Sequence, residues 1–565
     1  MSKTSLIKRK SGLILLISSL LFYCLVKLPF NLSVVCTSSN EGFYFVFSQY
    51  LLDTHKFDFI RGPLFIFIYA LVVKLFGFGT WSIIAVHFVQ TFTVCLIGIS
   101  LFYLGKIVLK SDFFSGLTVL FFILFQVTPI GGWGLDFEFE SAFALECEYF
   151  CILFSIWSLI CLLNISSGNK SKFLYFLAGI FAAFSFASKA SGIIIVIALF
   201  CWCIYLFFFQ KKHFLNTISN ISFFTLGFLM CVLLFSLVLV SLSAEPLSFW
   251  KNSFLIGSYS KSYLKSPLDF LSNILKFMTR DTNSFNNFFL FFLTFLSLAW
   301  GLVRSHILRI KDDFTQMFWT FISIWGIGNI FAVIAPGEYA SYYYILVWPA
   351  VSIFLSLLLK DLFSFIKIFQ MKSVRILICL LISLVFIQRI AVVFPTYLKL
   401  AKPNLDLSVF SQPQSFQDPV VFPYSPLPKK RILALWVADL INSQLPDKKD
   451  KFYVFNFFDN FPIFSANLYI YAKRSCQTSI LSDHLLVKSI LEDRAIKLAK
   501  VLIETPPQII IIPKYLHMSP ALRPLIKPFL EWLTLFLEKN YHLSGSFDVI
   551  TPKKNPETCY IYKKI

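Results

Sequence analysis

Charged residues are scarce in this chain of 565 residues and make up 14% of it. Acids are scarcer than bases, with 30 Asp and Glu against 50 Lys and Arg, whereas hydrophobic residues reach 57%. So little charge excludes an ordinary soluble protein, because 70 phenylalanines cannot be hidden in a soluble core. Helices in lipid carry apolar side chains on every face, so the composition predicts a protein that crosses the membrane many times.

Three further features are missing, and each argues against a class of protein. The chain lacks a Gly-rich phosphate-binding loop of the kind found in nucleotide enzymes. It lacks an internal repeat of fixed period, which argues against transporters built from duplicated halves. No small-x-small cleavage site follows the first apolar run, so residues 12–35 are expected to be an uncleaved anchor.

Apolar runs of spanning length predict about eleven membrane helices. They cover residues 12–35, 81–104, 113–130, 148–164, 173–188, 191–209, 221–243, 287–303, 315–335, 341–359 and 374–394. Lys and Arg gather in alternate loops, which places those loops and the N-terminus in the cytoplasm. This bias explains the net charge of +20 without a nucleic-acid partner.

The first outer loop is predicted at residues 36–80. It contains a short apolar stretch at 63–78 that is interrupted by Lys74. We interpret this stretch as a helix lying at the outer interface, because counting it as a span would invert every later loop and break the charge rule.

The chain changes character after residue 394, which ends the predicted membrane domain 1–394. Prolines mark a linker at 395–430, and the mixed sequence at 431–565 predicts a soluble domain. Expected strands lie at 452–456, 508–512 and 558–563, and an amphipathic helix at 489–503. The predicted fold class is an all-α polytopic membrane domain followed by a small α/β extracytoplasmic domain.

Two of the chain's 12 cysteines lie in that soluble domain, whereas most of the others lie within apolar runs. If the domain is outside the cytoplasm, Cys476 and Cys559 could form a disulfide, which the sequence leaves open.

Candidate catalytic groups lie at the outer ends of the spans. Glu41 follows the first span closely, where it is either a general base or an ordinary solvated loop acid. The loop 131–148 has no Lys or Arg and holds Asp136, Glu138, Glu140, Glu146 and Glu148. These acids could bind a metal, position a sugar or be solvated, and Glu148, which begins the next span, is expected to face a cavity between the helices.

Cations and tyrosines stand at the same predicted side. Lys189 and Arg61 are either interfacial cations or contacts to a phosphate. Glu338 and the tyrosine run 342–344 form either an interfacial belt or a platform for a sugar or lipid.

Together these features resemble the GT-C superfamily of integral-membrane glycosyltransferases, in particular protein O-mannosyltransferases and the lipid A aminoarabinose transferase. Residues 39–44 are similar to the family's Asp-Glu-x-x-Tyr motif, with Asn40 in place of the Asp and with Glu41 and Tyr44 kept. Residues 61–64 are similar to the family's Lys-Pro-Pro or Pro-Gly-Pro segment. Glu148 resembles the acid that opens the fourth span, Lys189 the Lys that ends a Gly-rich span, and Tyr342 replaces the His of a His-Tyr-Tyr segment.

The resemblance implies transfer of a sugar, with inversion, from a polyprenyl-phosphate donor to an acceptor hydroxyl. Glu41 would be the base, Arg61 and Lys189 would bind the donor phosphate, and the substrate would be positioned by Asn40, Tyr44, Glu148, Glu338 and Tyr342. No metal or other cofactor is assigned, although metal dependence stays open. The implied acceptor is lipid A or lipopolysaccharide, another envelope glycan or a protein, and the implied location is a bacterial inner membrane with a periplasmic C-terminal domain. The alternative function is a polytopic transporter or lipid flippase, and a scaffold without catalysis stays open too.

Overall fold

The computed structural model describes residues 3–33, 39–57, 62–128, 143–166, 171–209, 211–247, 249–250, 313–334 and 341–365. In the C-terminal part it describes 437–455 and 465–476 with short gaps, then 491–513, 523–550 and 556–565. Isolated positions between 272 and 401 are also described.

The membrane part is helical throughout the residues described. In chain order its helices are α1 (Lys3–Asn31), α2 (Ser39–Thr54), α3 (Pro63–Phe76), α4 (Thr80–Leu109), α5 (Asp112–Val127), α6 (Cys147–Ser166), α7 (Lys172–Ser188), α8 (Ile194–Phe209), α9 (Lys211–Ser241), α10 (Asp313–Ile334) and α11 (Trp348–Phe365). Short 3₁₀ turns at Ala190–Ile193 and Ser341–Leu346 precede α8 and α11.

Nine of the eleven predicted spans coincide with helices of the structure. In the part of the chain described, four segments are long and apolar enough to cross a membrane: Ser11–Asn31, Thr80–Leu109, Cys147–Asn164 and Ile221–Ser241. The predicted spans at 287–303 and 374–394 lie wholly or mostly outside the described residues, so the total of eleven stays a prediction. The chain is an integral membrane protein.

The outer loop differs from the expectation in one respect. The predicted helix at 63–78 is present as α3, and Pro63 at its first position suits a helix start because its missing N–H has no partner there anyway. The segment around Glu41, which the sequence predicted as loop, instead forms the first turn of α2. Because α2 packs against α3, most of its side chains are buried and it folds as a helix despite its short connections.

Close helix contacts hold the bundle together. Helix α7 packs between α6 and α9, and α5 packs against α1 and α4. At Gly179 of α7 an added Cβ would stand 2.0 Å from the backbone oxygen of Phe224 in α9, so only glycine permits this approach. The Gly-rich span noted in the sequence thus has a packing role, as small residues commonly have between membrane helices.

The C-terminal part contains a four-stranded mixed sheet in the order β1-β2-β4-β3. Its elements are β1 (Phe452–Val454), α12 (Ser465–Ala472), α13 (Leu491–Glu504), β2 (Ile509–Pro513), α14 (Arg523–Asn540), β3 (Tyr541–Ile550) and β4 (Pro556–Lys564). Strands β1 and β2 are parallel, and the remaining pairs are antiparallel. The prediction of a small α/β layer is confirmed, while β3 and α14 were not predicted.

The two cysteines of this domain and its contact with the membrane part complete the description. Cys476 and Cys559 are both buried as thiols in the structure and are not joined to each other. Cys559 is held in the sheet opposite Phe547 and Pro513, and Cys476 makes a hydrogen bond with Tyr469, so each side chain is placed by its own neighbours. The domain is also not separate from the membrane part, because α12 packs against α2 and both belong to one hydrophobic core.

Candidate active site

Glu41 lies in the first turn of α2 with its carboxylate fully buried. The backbone N–H of Leu145 donates a hydrogen bond to Oε1 at 3.2 Å. Nε2 of His87, in α4, lies 3.2 Å from Oε2, so each carboxylate oxygen has a named partner. A buried carboxylate is costly unless it is hydrogen-bonded, and here the contacts fix its orientation as well. The interpretation of Glu41 as a solvated loop acid is wrong.

Several polar contacts of the site are made by residues 143–148, a short segment that leads into α6. Its backbone accepts hydrogen bonds from two side chains: Lys27 donates to the oxygen of Phe143, and Tyr69 donates to the oxygen of Leu145 at 3.1 Å. Lys27 is fully buried and lies 4.9 Å from the ring centroid of Phe143. Helices α1, α2 and α3 therefore all bind one segment of chain.

Glu146 and Glu148, both fully buried, have different partners. Tyr44 donates a hydrogen bond to Glu146 Oε2 at 3.0 Å, which ties Glu146 to the same helix as Glu41. Glu148 instead forms an ion pair with Lys189, and the Cys147 thiol donates to its other oxygen at 3.3 Å. The two acids therefore face different parts of the site, and Glu146 is the one linked through its partner to the helix that carries Glu41.

Lys189 lies between α7 and the following 3₁₀ turn, where its side chain is 24% exposed. Its Nζ contacts Glu148 and lies 4.3 Å from the centroid of the Tyr343 ring, a cation–π distance. The Lys is thus an ion-paired residue, although part of it stays open to the surroundings.

Gly62 brings the start of α3 to the end of α7. A Cβ at Gly62 would lie 2.2 Å from the backbone oxygen of Ser188 and 2.3 Å from that of Ala187. Gly62, the middle residue of the Arg-Gly-Pro segment, therefore touches the residues just before Lys189.

The structure brings together four of the predicted site residues, Glu41, Tyr44, Glu148 and Lys189, around 143–148 and its neighbours. Asn40 and Tyr342 lie in α2 and in the 3₁₀ turn Ser341–Leu346, but their side chains are outside the described part. Arg61 and Glu338 also lie outside the described residues, as do Asp136, Glu138 and Glu140. Their assigned roles stay predictions.

His87, Lys27 and Tyr69 were missed by the sequence reasoning. A signal for the first two was present, since both are ionisable residues inside long apolar runs, and such residues are functional candidates by default. Within the described part of the chain, no three His, Cys, Asp or Glu side chains gather as a set that could hold a metal ion.

No protein-family model matches the chain, and no curated protein matches it in sequence. Its fold is similar to that of ArnT from Cupriavidus metallidurans bound to undecaprenyl phosphate, with a TM-score of 0.53, 12% identity and 97% of each chain covered. Apo ArnT from the same organism gives a TM-score of 0.50 at 11% identity, again over 97% of each chain.

A third similar structure is the archaeal oligosaccharyltransferase AglB from Archaeoglobus fulgidus, in complex with an inhibitory peptide and a dolichol-phosphate. The TM-score is 0.51 at 12% identity, with 98% of this chain and 74% of that chain covered. AglB and ArnT are GT-C glycosyltransferases. The chain has the GT-C fold, as the sequence motifs indicated.

Proposed function

We propose that this protein is an integral-membrane glycosyltransferase that moves a sugar from a polyprenyl-phosphate donor to an acceptor hydroxyl, with inversion. The observation that carries the proposal is the buried and oriented carboxylate of Glu41. It lies in a GT-C fold at the end of the bundle that the charge pattern places outside the cytoplasm. The lipids bound to ArnT and AglB, undecaprenyl phosphate and a dolichol-phosphate, support a donor of the same chemical class.

Glu41 would act as the general base. As the acceptor oxygen attacks the anomeric carbon, its proton passes to the carboxylate while the bond between the sugar and the phosphate oxygen breaks. Two partners already fix Glu41, so the carboxylate does not have to be ordered when the acceptor arrives, and such positioning lowers the barrier.

Lys189 and Arg61 would stabilise the leaving lipid phosphate. Lys189 is partly exposed and holds Glu148, so a phosphate would share the ammonium group with that carboxylate. We assign the same role to Arg61 from its place beside Gly62, which contacts Ser188. Asn40, Tyr44, Glu148, Glu338 and Tyr342 are proposed to position the substrates.

The acceptor class is proposed more broadly, as lipid A or lipopolysaccharide, another envelope glycan or a protein of a bacterial inner membrane facing the periplasm. A transporter or flippase is less well supported, because it would place ionisable groups near the middle of the bilayer. The buried Lys27 and His87 instead lie near the ends of α1 and α4, beside 143–148 and Glu41.

Mass spectrometry of envelope glycolipids and glycoproteins tests the proposal in cells that carry the intact chain, a deletion or Glu41→Gln. We expect the same hexose, pentose or modified-sugar increment to be missing from the deletion and from Glu41→Gln. Asp53→Asn is the matched control, because Asp53 lies on the same helix, is exposed and is hydrogen-bonded by Gln49 at 2.6 Å. An increment lost only in the deletion would reject Glu41 as the base, and no loss in either would favour a transporter.

A further inference from the structure

His87 is a buried ionisable group to which no role has been given. It lies on α4, inside an apolar segment long enough to cross the membrane, and its side chain is fully buried. Its ring contacts Glu41 through Nε2 at 3.2 Å. A fully buried polar ring is costly unless it is hydrogen-bonded, so its contact with the candidate base points to function.

The other ring nitrogen decides which tautomer the histidine adopts. Nδ1 is buried and has no hydrogen-bond partner among the described residues. A proton on Nδ1 would therefore be a buried donor without an acceptor, which is costly. We therefore place the ring proton on Nε2, where it is donated to Glu41.

The second donor to Glu41 comes from a different part of the chain. Leu145 N–H binds Oε1 while His87 binds Oε2, so the two donors hold the carboxylate from both sides. Hydrogen bonds from two donors fix the direction of the carboxylate group, and a general base must be held in a defined geometry to accept a proton. Helix α4 is also anchored beside His87, because Thr91 donates to the His87 oxygen at 3.2 Å and to Asn31 Oδ1 at 3.0 Å.

We propose that His87 is a positioning residue for Glu41: its Nε2–H orients the carboxylate and keeps it ready to accept the proton of the acceptor hydroxyl. This inference rests on the proposed function, because it gives His87 no role apart from Glu41.

Two amide substitutions separate this role from a merely structural one. In His87→Gln the amide nitrogen stands near the former Nε2 and can still donate to Glu41. In His87→Asn the side chain is shorter, so its amide nitrogen stands near the former Nδ1 position and does not reach Glu41. Both variants bury an amide of similar chemistry, so a packing role would affect them alike.

Each variant is expressed in the deletion cells, and the rate at which the missing sugar increment reappears is measured. This rate is divided by the amount of folded protein, which size-exclusion chromatography gives. We expect His87→Asn and His87→Leu to be slower by about 10- to 100-fold, the range of one hydrogen bond to a charged group. His87→Gln should stay within about threefold of the intact chain, because it keeps that bond. Tyr23→Phe, which removes the Tyr23–Gln90 bond one turn further along α4, is the control and should stay within about twofold.

The Glu41→Gln variant, measured beside the His87 variants, completes the test. Equal rates for the Gln and Asn variants would overturn the role of His87 while the proposed function stood, provided that Glu41→Gln is inactive. An active Glu41→Gln would instead reject the base itself and the role of His87 with it.

Discussion

Replacing Lys189 with Met leaves the buried carboxylate of Glu148 without its ion-pair partner. Glu148 is fully buried and Lys189 is 24% exposed, and the remaining named contact of the carboxylate is the weak thiol bond from Cys147. Breaking a buried ion pair on one side costs about 3–5 kcal/mol. Because water reaches part of Lys189 and screens the pair, we expect a cost below that range, about 2–3 kcal/mol of unfolding free energy.

The double variant Lys189→Met/Glu148→Gln tells a buried charge from a general loss of packing. It removes both charges, so no uncompensated carboxylate remains, and we expect it to be more stable than Lys189→Met alone. The expected coupling free energy is about 2 kcal/mol, measured by SDS-titrated unfolding in mixed micelles across the full cycle. Glycosyl transfer should be impaired in both variants, so stability and not activity is the informative readout.

Lys106→Met is the matched control. Lys106 and Asp112 form an ion pair at 3.1 Å, but the Lys106 side chain is 45% exposed. Such a surface pair contributes about 0–1 kcal/mol, so this variant should barely change stability. The reasoning would be refuted if the costs of Lys189→Met and Glu148→Gln simply added in the double variant, or if Lys106→Met cost as much as Lys189→Met.

Three further changes have defined outcomes. Gly62→Ala should lower the thermal stability of the purified protein and slow sugar transfer, because the added Cβ would stand 2.2 Å from a backbone oxygen. Gly77→Ala is the control for backbone strain, because Gly77 has a positive φ but open space around its Cβ. Tyr44→Phe should lower the unfolding free energy by about 1.5–3 kcal/mol by removing a hydrogen bond to the buried carboxyl group of Glu146, and an unchanged value would mean that this bond does not contribute to stability. Arg474→Met should destabilise the C-terminal domain by about 1–3 kcal/mol, since three backbone oxygens, of which that of Leu445 is buried, lose a donor. Partial proteolysis would show this, and full resistance to protease would contradict it.

The sequence predicted the membrane part well, because its signals are local. A run of apolar residues must form a helix in lipid, whatever its neighbours are, and charge bias orders the loops. Helix α2 was missed for the opposite reason. Its residues combine polar and apolar side chains with no strong helical period. It is helical because α3 and α12 pack against it, and a local sequence pattern does not reveal such contacts.

The site was predictable in its acids but not in their partners. Glu41 and Glu148 stand out in the sequence as acids at span ends. Their partners His87 and Lys189 come from positions 46 and 41 residues away. The N–H donor of Leu145 has no sequence signal at all, since every residue except proline carries the same group.

The contact between α2 and α12 has a consequence for how the protein is made. Helix α2, which carries Glu41, is synthesised near the beginning of the chain, but Tyr469 and Ile470 of α12 join its hydrophobic core only after the whole membrane part has left the ribosome. Until then the apolar face of α2 lacks part of its cover, although His87 and Leu145, the named partners of Glu41, are already present. A partly synthesised chain would therefore reside in the membrane with α2 incompletely packed, and the core around the helix that carries Glu41 would be completed only when the last domain folds onto it.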